Sequence, residues 1–355
     1  MPHEVDFNPV GTGSKSGDAI SLRYGKLDGG PNDQMVVVID GGFADDGEAL
    51  VKHIRDHYHT ETVDLVISTH PEQDHLSGLK VVLEEMDVRE LWMHLPWAHM
   101  TNLRLAKAAG FRYTQLGEGL EKSLSGASEL EAIARSRGIP MKEPFAGLFS
   151  SDGIVGVLGP TERYYEQLLR EISIPSQPTK RSALAKILEL AAKAAENLHI
   201  ETLTDSGETT PVNNTSVITS FQIDGDLLLF TGDAGIPALE QAVDLLERVG
   251  ISPGTLSFVQ VPHHGSRRNV GPSVLDRLLG PKGTTDRRGV AFVSCAPDGA
   301  PKHPAKKVTN AFRRRGYPVH ATQGSGKWHH EGAPARVGWV PSTPLPLYTT
   351  VEDDA

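Results

Sequence analysis

Eight apolar runs of strand length recur along the chain, and they constrain its fold more than any other feature: DAISLRYG, QMVVVIDGG, VDLVISTH, IVGVLGP, TSVITSFQI, DLLLFTGD, LSFVQVPHHGS and GVAFVSCAP. Runs this short and this rich in Val, Ile and Leu are strands covered on both faces. Helical patterns alternate with some of them. Asp74 to Met86 places Leu76, Leu79, Val82 and Leu83 at three- and four-residue spacing. Ile236 to Val249 does the same with Leu239, Ala242, Leu246 and Val249, and Gly250 follows as a stop. Further helices are expected over Pro272 to Leu279 and Pro304 to Arg315. The result is a layered α/β fold, and 355 residues suffice for one large unit with decorations.

The middle differs. Between Trp92 and Asn213 the only clear strand is IVGVLGP, and helical segments surround it. Leu184, Ile187, Leu188, Ala191, Ala195 and Leu198 make one stripe, read first as core and second as a lid or a docking helix for a protein partner. Helical insertions are thus expected at approximately 97–150 and 176–205 within a unit spanning 1–345. Residues 346–355 read as an acidic tail, disordered around VEDDA.

The start MPHEVDFNPV lacks a basic segment followed by an apolar stretch, and no apolar run approaches the ~18 residues of a membrane span, so a cytoplasmic protein without a membrane partner is expected. Cys295 is the only cysteine, which excludes an intramolecular disulfide and a thiolate cluster; in GVAFVSCAP it reads as a small buried strand residue. Any metal must be held by histidines and carboxylates.

Chemistry collects at the strand ends. MVVVID ends in Asp40, LVISTH in His70, LLLFTGD in Asp233 and FVQVPHH in His263 and His264. Rigid strands that deliver ionisable side chains to one edge build sites there. The stretch STHPEQDHLSGL adds Glu72, Asp74 and His75. Imidazole nitrogens with carboxylate oxygens suit Zn²⁺, Mn²⁺ or iron, and two carboxylates tilt the set towards Mn²⁺. The loop GTGSKSGD lacks the spacing of a phosphate loop and reads as a turn, with Asp18 approaching the site.

STHPEQDHLSGL, LLLFTGDAG and VQVPHHGS resemble the second, fourth and fifth motifs of the metallo-β-lactamase-fold hydrolases, most nearly the subgroup typified by the hydrolase domain of the ComEC DNA-uptake protein. GDAISL, VIDGG, NNTS at Asn213 to Ser216 and KHP at Lys302 to Pro304 also have counterparts there. The resemblance implies an αββα sandwich with a metal centre at one edge and a helical insertion in the middle of the chain. It further implies one metal position with Asp74, His75, Asp233 and one of His263 or His264, of which His264 is the better candidate because Gly265 follows it. The other position keeps only His70, Glu72 and Asp233. The family's usual His-x-His pair is His70 and Glu72 here, and its third-motif histidine has no equivalent, Asn214 or Ser216 occupying that region. One tight Zn²⁺ or Mn²⁺ and a second weak or absent one are therefore expected.

The expected activity is hydrolysis of a phosphoester by a metal-activated water, with Asp74 and His303 as catalytic residues and His303 serving the leaving oxygen. A nuclease or nucleotide phosphodiesterase fits, since the net charge of −10 hides a basic segment. From Arg267 to Arg315 there are twelve Lys and Arg against three Asp. Arg267, Arg268, Ser266 and Asn214 are the expected contacts to a phosphate-bearing substrate or nucleic acid, while Arg313 to Arg315 close a helix and are expected to face solvent. Two other readings compete: a carboxyl ester, thioester or lactone hydrolase, and a regulatory module with a degenerate centre. His53, His57, His59, His94, His99, His329 and His330 lack a strand-end context and read as structural or exposed.

Overall fold

Alternate residues of the run Gln34–Gly41 enter two different cores, as a sheet covered on both faces requires. Val37 and Ile39 join one apolar cluster, Val36 and Val38 another. The computed structural model describes residues 1–108, 118–173, 196–299 and 303–352. Its strands are β1 (His3–Phe7), β2 (Ala19–Gly25), β3 (Gln34–Gly41), β4 (Thr62–Val63), β5 (Leu65–Ile67), β6 (Asp87–Val88), β7 (Leu91–Trp92), β8 (Met141–Lys142), β9 (Val155–Gly159), β10 (Ile218–Ile223), β11 (Asp226–Phe230), β12 (Phe258–Gln260), β13 (Val290–Val293), β14 (Val319–Ala321) and β15 (Lys327–Glu331).

One sheet runs β15-β1-β2-β3-β5-β7-β8 and the other β14-β13-β12-β11-β10-β9, with β4 and β6 forming a small separate pair. Phe7, Leu22, Ile39 and Trp92 of the first sheet share a core with Phe221, Phe230, Phe258 and Phe292 of the second. Helices cover the outer faces. Leu79, Val82 and Leu83 of the helix Gln73–Glu85 and Leu130 of the helix Glu118–Ser136 pack beneath Val36, Val38 and Val66. Leu239 and Val243 of Ile236–Arg248, Leu275 of Pro272–Leu279 and Phe312 of Lys306–Arg314 pack beneath Leu229, Val259 and Ala291. The expected αββα sandwich is thus the fold. Helix Glu118–Ser136, expected inside an insertion, belongs to the outer core, whereas most of the stripe from Leu184 to Leu198 lies outside the described residues.

Strand direction positions the site. β3, β5, β7 and β8 are parallel, as are β11, β12, β13 and β14, and β2 runs antiparallel to β3. The C-terminal ends of β3, β5, β11 and β12 and the start of β2 therefore supply the side chains of one edge. β1 is absent from the apolar runs because it buries charge: Glu4 pairs with Arg23 and Arg336 and accepts a hydrogen bond from Trp328 of β15. No helix among the described residues is long and apolar enough to cross a membrane.

Two expectations about charge need correction. Arg314 and Arg315 do not face solvent: both side chains are fully buried, pairing at 2.8 Å with Glu196 and Glu201, themselves fully buried. The chain end is also not loose through residue 352. Leu345 N–H donates to Val319 O, Tyr348 N–H donates to Asn310 Oδ1, and the Glu352 carboxylate accepts from Lys306 and Lys307 N–H, capping the helix Lys306–Arg314. Removing one partner of a buried ion pair leaves the other uncompensated. Arg314→Ala should accordingly lower unfolding free energy by about 3–5 kcal/mol in urea titrations.

Candidate metal centre

His75 owes its position to three glycines. A Cβ at Gly78 would collide with the carbonyl oxygen of Gly41, and one at Gly47 with the backbone of Gly78, so the helix Gln73–Glu85 can lie directly against the end of β3 only because these side chains are missing. That contact brings His75 beside Asp40, whose Oδ2 lies 2.8 Å from His75 Nδ1. Asp40 sits at φ 55°, a left-handed turn that ends the strand.

Asp40 also organises its neighbour. Its Oδ1 accepts from Thr69 N–H at 2.8 Å and its Oδ2 from the Thr69 hydroxyl at 2.6 Å. With its proton committed there, Thr69 Oγ1 accepts from His70 Nδ1 at 2.9 Å. On the second sheet, His264 Nδ1 donates to Ser294 O at 3.0 Å. All three imidazoles therefore commit Nδ1 to a partner and turn Nε2 towards the centre.

Those Nε2 atoms converge on Asp233, which follows β11 and is buried. Asp233 Oδ1 lies 3.5 Å from His75 Nε2 and 4.0 Å from His264 Nε2, while Oδ2 lies 3.8 Å from His70 Nε2. Glu72 Oε2 stands 3.6 Å from His70 Nε2, Asp74 Oδ2 3.9 Å from His264 Nε2, and Asp18 Oδ2 3.8 Å from His75 Nδ1. The donor sets Asp74–His75–His264, His70–Glu72–Asp233, Asp18–His75–Asp233 and Asp40–His70–His75 each fall within 4.8 Å. These gaps exceed hydrogen-bond length. At 3.5 to 4.0 Å they lie a little above the ~3.3–3.4 Å separating two ligands that share one ion at about 2.0–2.1 Å in tetrahedral geometry.

Burial and charge agree. Nε2 of His70, His75 and His264, Oδ1 of Asp233 and Oδ1 of Asp18 are buried without hydrogen-bond partners. Such orphans are costly unless something not drawn from the chain satisfies them. Burial raises the Asp18 carboxyl, only partly offset by His264 and His75. Burial works in the same direction on Asp233, yet His263, His75 and His264 hold it well below the usual carboxylate range. Burial would lower His75, but Asp233 and Asp40 push it well above an ordinary imidazole. Five carboxylates facing buried imidazoles make a strongly negative cradle, which fits a divalent cation.

The remaining expected residues take different places. His263, half-buried, has Nε2 3.4 Å from Asp233 Oδ2, and the His303 ring stacks on it at 6.1 Å. Arg267 is half-buried and Arg268 exposed just beyond the histidine pair. Asn214 and Ser266, expected at the substrate, are buried and hold backbone: Asn214 Oδ1 accepts from Gly235 N–H, and Ser266 Oγ accepts from Arg268 N–H. Asn213, one residue earlier, is the amide that reaches Asp233, at 3.4 Å. Ser216 Oγ accepts from Asp233 N–H. Lys302 lies outside the described residues. Residues that pattern reading gave no role include Gln260, whose amide donates to Asp18 at 3.0 Å, and Asn269, which donates to Asp233 O at 2.8 Å. Nothing in a single sequence marks a lone Gln or Asn as such a brace. The other histidines serve packing: His53 pairs with Asp6 at 3.3 Å, His94 stacks on Tyr165 at 4.2 Å and His99 meets Glu143 at 3.1 Å.

Residues 32–164 match the family model of the metallo-beta-lactamase superfamily. Among solved structures, a metal-dependent hydrolase of the beta-lactamase superfamily is 13% identical over 92% of this chain and 98% of its own, with a TM-score of 0.44. Zn(2+)-bound PqqB from Methylobacterium extorquens is 11% identical over 92% of this chain and 99% of its own, with a TM-score of 0.42. A long form RNase Z from yeast is 12% identical over 73% of this chain and 32% of its own, with a TM-score of 0.34. No curated protein matches the chain significantly.

Asp40 touches no reacting atom in this arrangement but fixes the tautomers of His75 and, through Thr69, His70. Asp40→Ala should weaken divalent-metal affinity about 10–100-fold, as outer partners of metal-bound histidines do, with the fold preserved by circular dichroism. Competition with a metallochromic chelator measures it.

Proposed function

We propose that this chain, a member of the metallo-β-lactamase superfamily, is a metal-dependent hydrolase that cleaves phosphoester bonds, in the class of nucleases and nucleotide phosphodiesterases. The observation that carries the metal dependence is the set of buried, unpartnered Nε2 atoms of His70, His75 and His264 facing the two oxygens of Asp233. Asp74, His75, His264 and Asp233 would hold one ion, and His70, Glu72 and Asp233 contribute to a second position. Zn²⁺ and Mn²⁺ both suit nitrogen and carboxylate donors. When bound, the ion supplies Lewis acidity, lowering the cost of deprotonating water and offsetting negative charge at the attacked phosphorus.

The chain's own residues perform the rest. Asp74, whose side chain is partly exposed, orients the attacking water and accepts its proton. The water oxygen bonds to phosphorus as the bond from phosphorus to the leaving oxygen breaks. His303 donates a proton to that leaving oxygen.

Support for a phosphate substrate comes from Arg267 and Arg268, which follow the histidine pair after Gly265 and Ser266. Much of the remaining basic segment is engaged elsewhere: Arg277 with Asp244 and Glu247, Lys282 with Glu201, Arg288 with Leu279 O, Arg313 with Leu345 O, and Arg314 and Arg315 with buried glutamates. That consumption of charge also favours a second reading, hydrolysis of uncharged carboxyl esters, thioesters or lactones.

Purified protein reconstituted with Mn²⁺ or Zn²⁺ should cleave at least one of single-stranded DNA, duplex DNA, RNA, a cyclic dinucleotide or bis(p-nitrophenyl) phosphate. Activity confined to acyl esters sinks the phosphoester reading. Asp74→Ala and Asp233→Ala should abolish turnover and reduce bound metal while the fold persists, and wild-type rates in both would overturn the assignment of these residues. Replacing Arg267 and Arg268 together with Ala should weaken nucleic-acid binding and flatten its salt dependence by ~0.9 per lost phosphate contact on duplex DNA or ~0.7 on a single strand. Titrating affinity against salt reads this directly, and a neutral ester should be little affected.

A further inference from the structure

Residues Gly11 to Gly17 form a loop, GTGSKSG, that holds one base, Lys15, and no acid. Its backbone is the turn expected from the sequence. Lys15 N–H donates to Thr12 O at 3.3 Å, and a Cβ at Gly11 would fall 1.9 Å from Lys15 O, so the loop closes on itself only because Gly11 lacks one.

The flanks of this turn are fastened to the edge that carries the centre. A Cβ at Gly17 would lie 2.3 Å from Asp74 O, and Asp18 N–H donates to that same oxygen at 3.2 Å, so one flank packs directly on the backbone of Asp74. Gly13 O accepts from Asp298 N–H at 2.9 Å and Ser16 Oγ accepts from Ala296 N–H at 3.0 Å, which fastens the loop to the segment after β13. His303 donates its own N–H to Gly299 O of that segment at 2.9 Å. The loop therefore bridges the backbone of the residue assigned to the attacking water and the segment that holds the residue assigned to the leaving oxygen.

Thr12, Gly13, Ser14 and Lys15 are exposed. Among the described residues no ion pair or hydrogen bond engages the Lys15 ammonium. Two carboxylates border the loop, and neither takes up that charge: Asp46 accepts from Gly11 and Phe43 N–H, and Asp298 meets the loop through its own N–H. Lys15 thus differs from Arg277, Lys282, Arg314 and Arg315, which are paired with acids. A compact ammonium on a flexible stem can follow a phosphate whose position varies along a strand.

We propose that this loop is a contact point for a second phosphate of the substrate, next to the one attacked, and that Lys15 supplies its charge. The proposal deepens the phosphoester reading above and rests on it: the substrate class is a nucleic-acid strand rather than a phosphomonoester or a lone phosphodiester.

Fluorescence anisotropy of a labelled single-stranded oligonucleotide with cleavage-resistant phosphorothioate linkages, DNA and RNA in turn, tests this on Zn²⁺-loaded protein without turnover. Lys15→Ala should weaken binding several-fold at low salt and flatten the slope of log affinity against log salt by ~0.7, the loss of one contact on a single strand. Lys15→Arg should keep the wild-type slope, and circular dichroism checks that both variants are folded. Lys26→Ala removes the same charge beyond the far end of β2, a strand of seven residues at about 3.3 Å each, and should leave the slope as it is. Equal losses in Lys15→Ala and Lys26→Ala would show that net charge alone acts and would overturn the proposal, as would unchanged affinity and slope in Lys15→Ala. Cleavage of bis(p-nitrophenyl) phosphate by a wild type with no affinity for either strand overturns it while leaving the phosphoester reading in place. A wild type that hydrolyses only acyl esters and binds neither strand sinks both.

Discussion

The buried carboxylate of Asp233 is the constraint around which this molecule is arranged. Imidazole Nε2 atoms from both sheets face its two oxygens at 3.4 to 4.0 Å. In His70, His75 and His264 the other ring nitrogen is committed to a partner, which turns Nε2 towards the centre. Within the chain these buried Nε2 atoms have no hydrogen-bond partner, an arrangement that is costly in a low-dielectric interior. With a cation it becomes a pre-organised cradle. The arrangement is held from behind by backbone and by neutral side chains: Ser216, Asn214 and Asn269 fix the turn that carries Asp233, and Gln260 ties Asp18 to the Thr231–Gly232 peptide groups.

The fold makes that cradle possible by strand direction. Parallel strands in each of two facing sheets end at the same edge, so residues distant in the chain arrive as neighbours at the ends of rigid elements. Local backbone then does the fine aiming. Gly41, Gly47 and Gly78 let a helix approach a strand end closely enough for His75 to reach Asp40, and three non-glycine residues at the site, Asp40, His263 and His264, accept left-handed conformations. Of the six described non-glycine residues with positive φ, three lie at this site.

Charge serves two purposes in this chain, and a sequence window does not separate them. The arginines at 313–315 look like the most exposed part of the basic segment, yet Arg314 and Arg315 are framework. They tie helix Lys306–Arg314 to Glu196 and Glu201, acids more than a hundred positions earlier, while Arg313 donates to Leu345 O of the returning chain end. β1 tells the same story, its buried Glu4 and Asp6 pairing with Arg336. Buried ion pairs of this kind leave no apolar period to read.

By itself the sequence determined the alternation of buried strands and amphipathic helices, and it placed Asp40, His70, Asp233, His263 and His264 at strand ends, because periodicity and strand-end position are properties of contiguous residues. The segment from His70 to His75 was legible for the same reason. Partnership was not. Which acid binds Arg314, whether residues 345–352 hang free or pack, that Asn213 rather than Asn214 reaches Asp233, and which oxygen of Asp233 each of two adjacent histidines faces were decided only when the sheets stacked. Those choices depend on distances between residues far apart in the chain and on hydrogen-bond partners that set tautomers and amide orientations, and neither quantity exists until the tertiary structure brings the groups together.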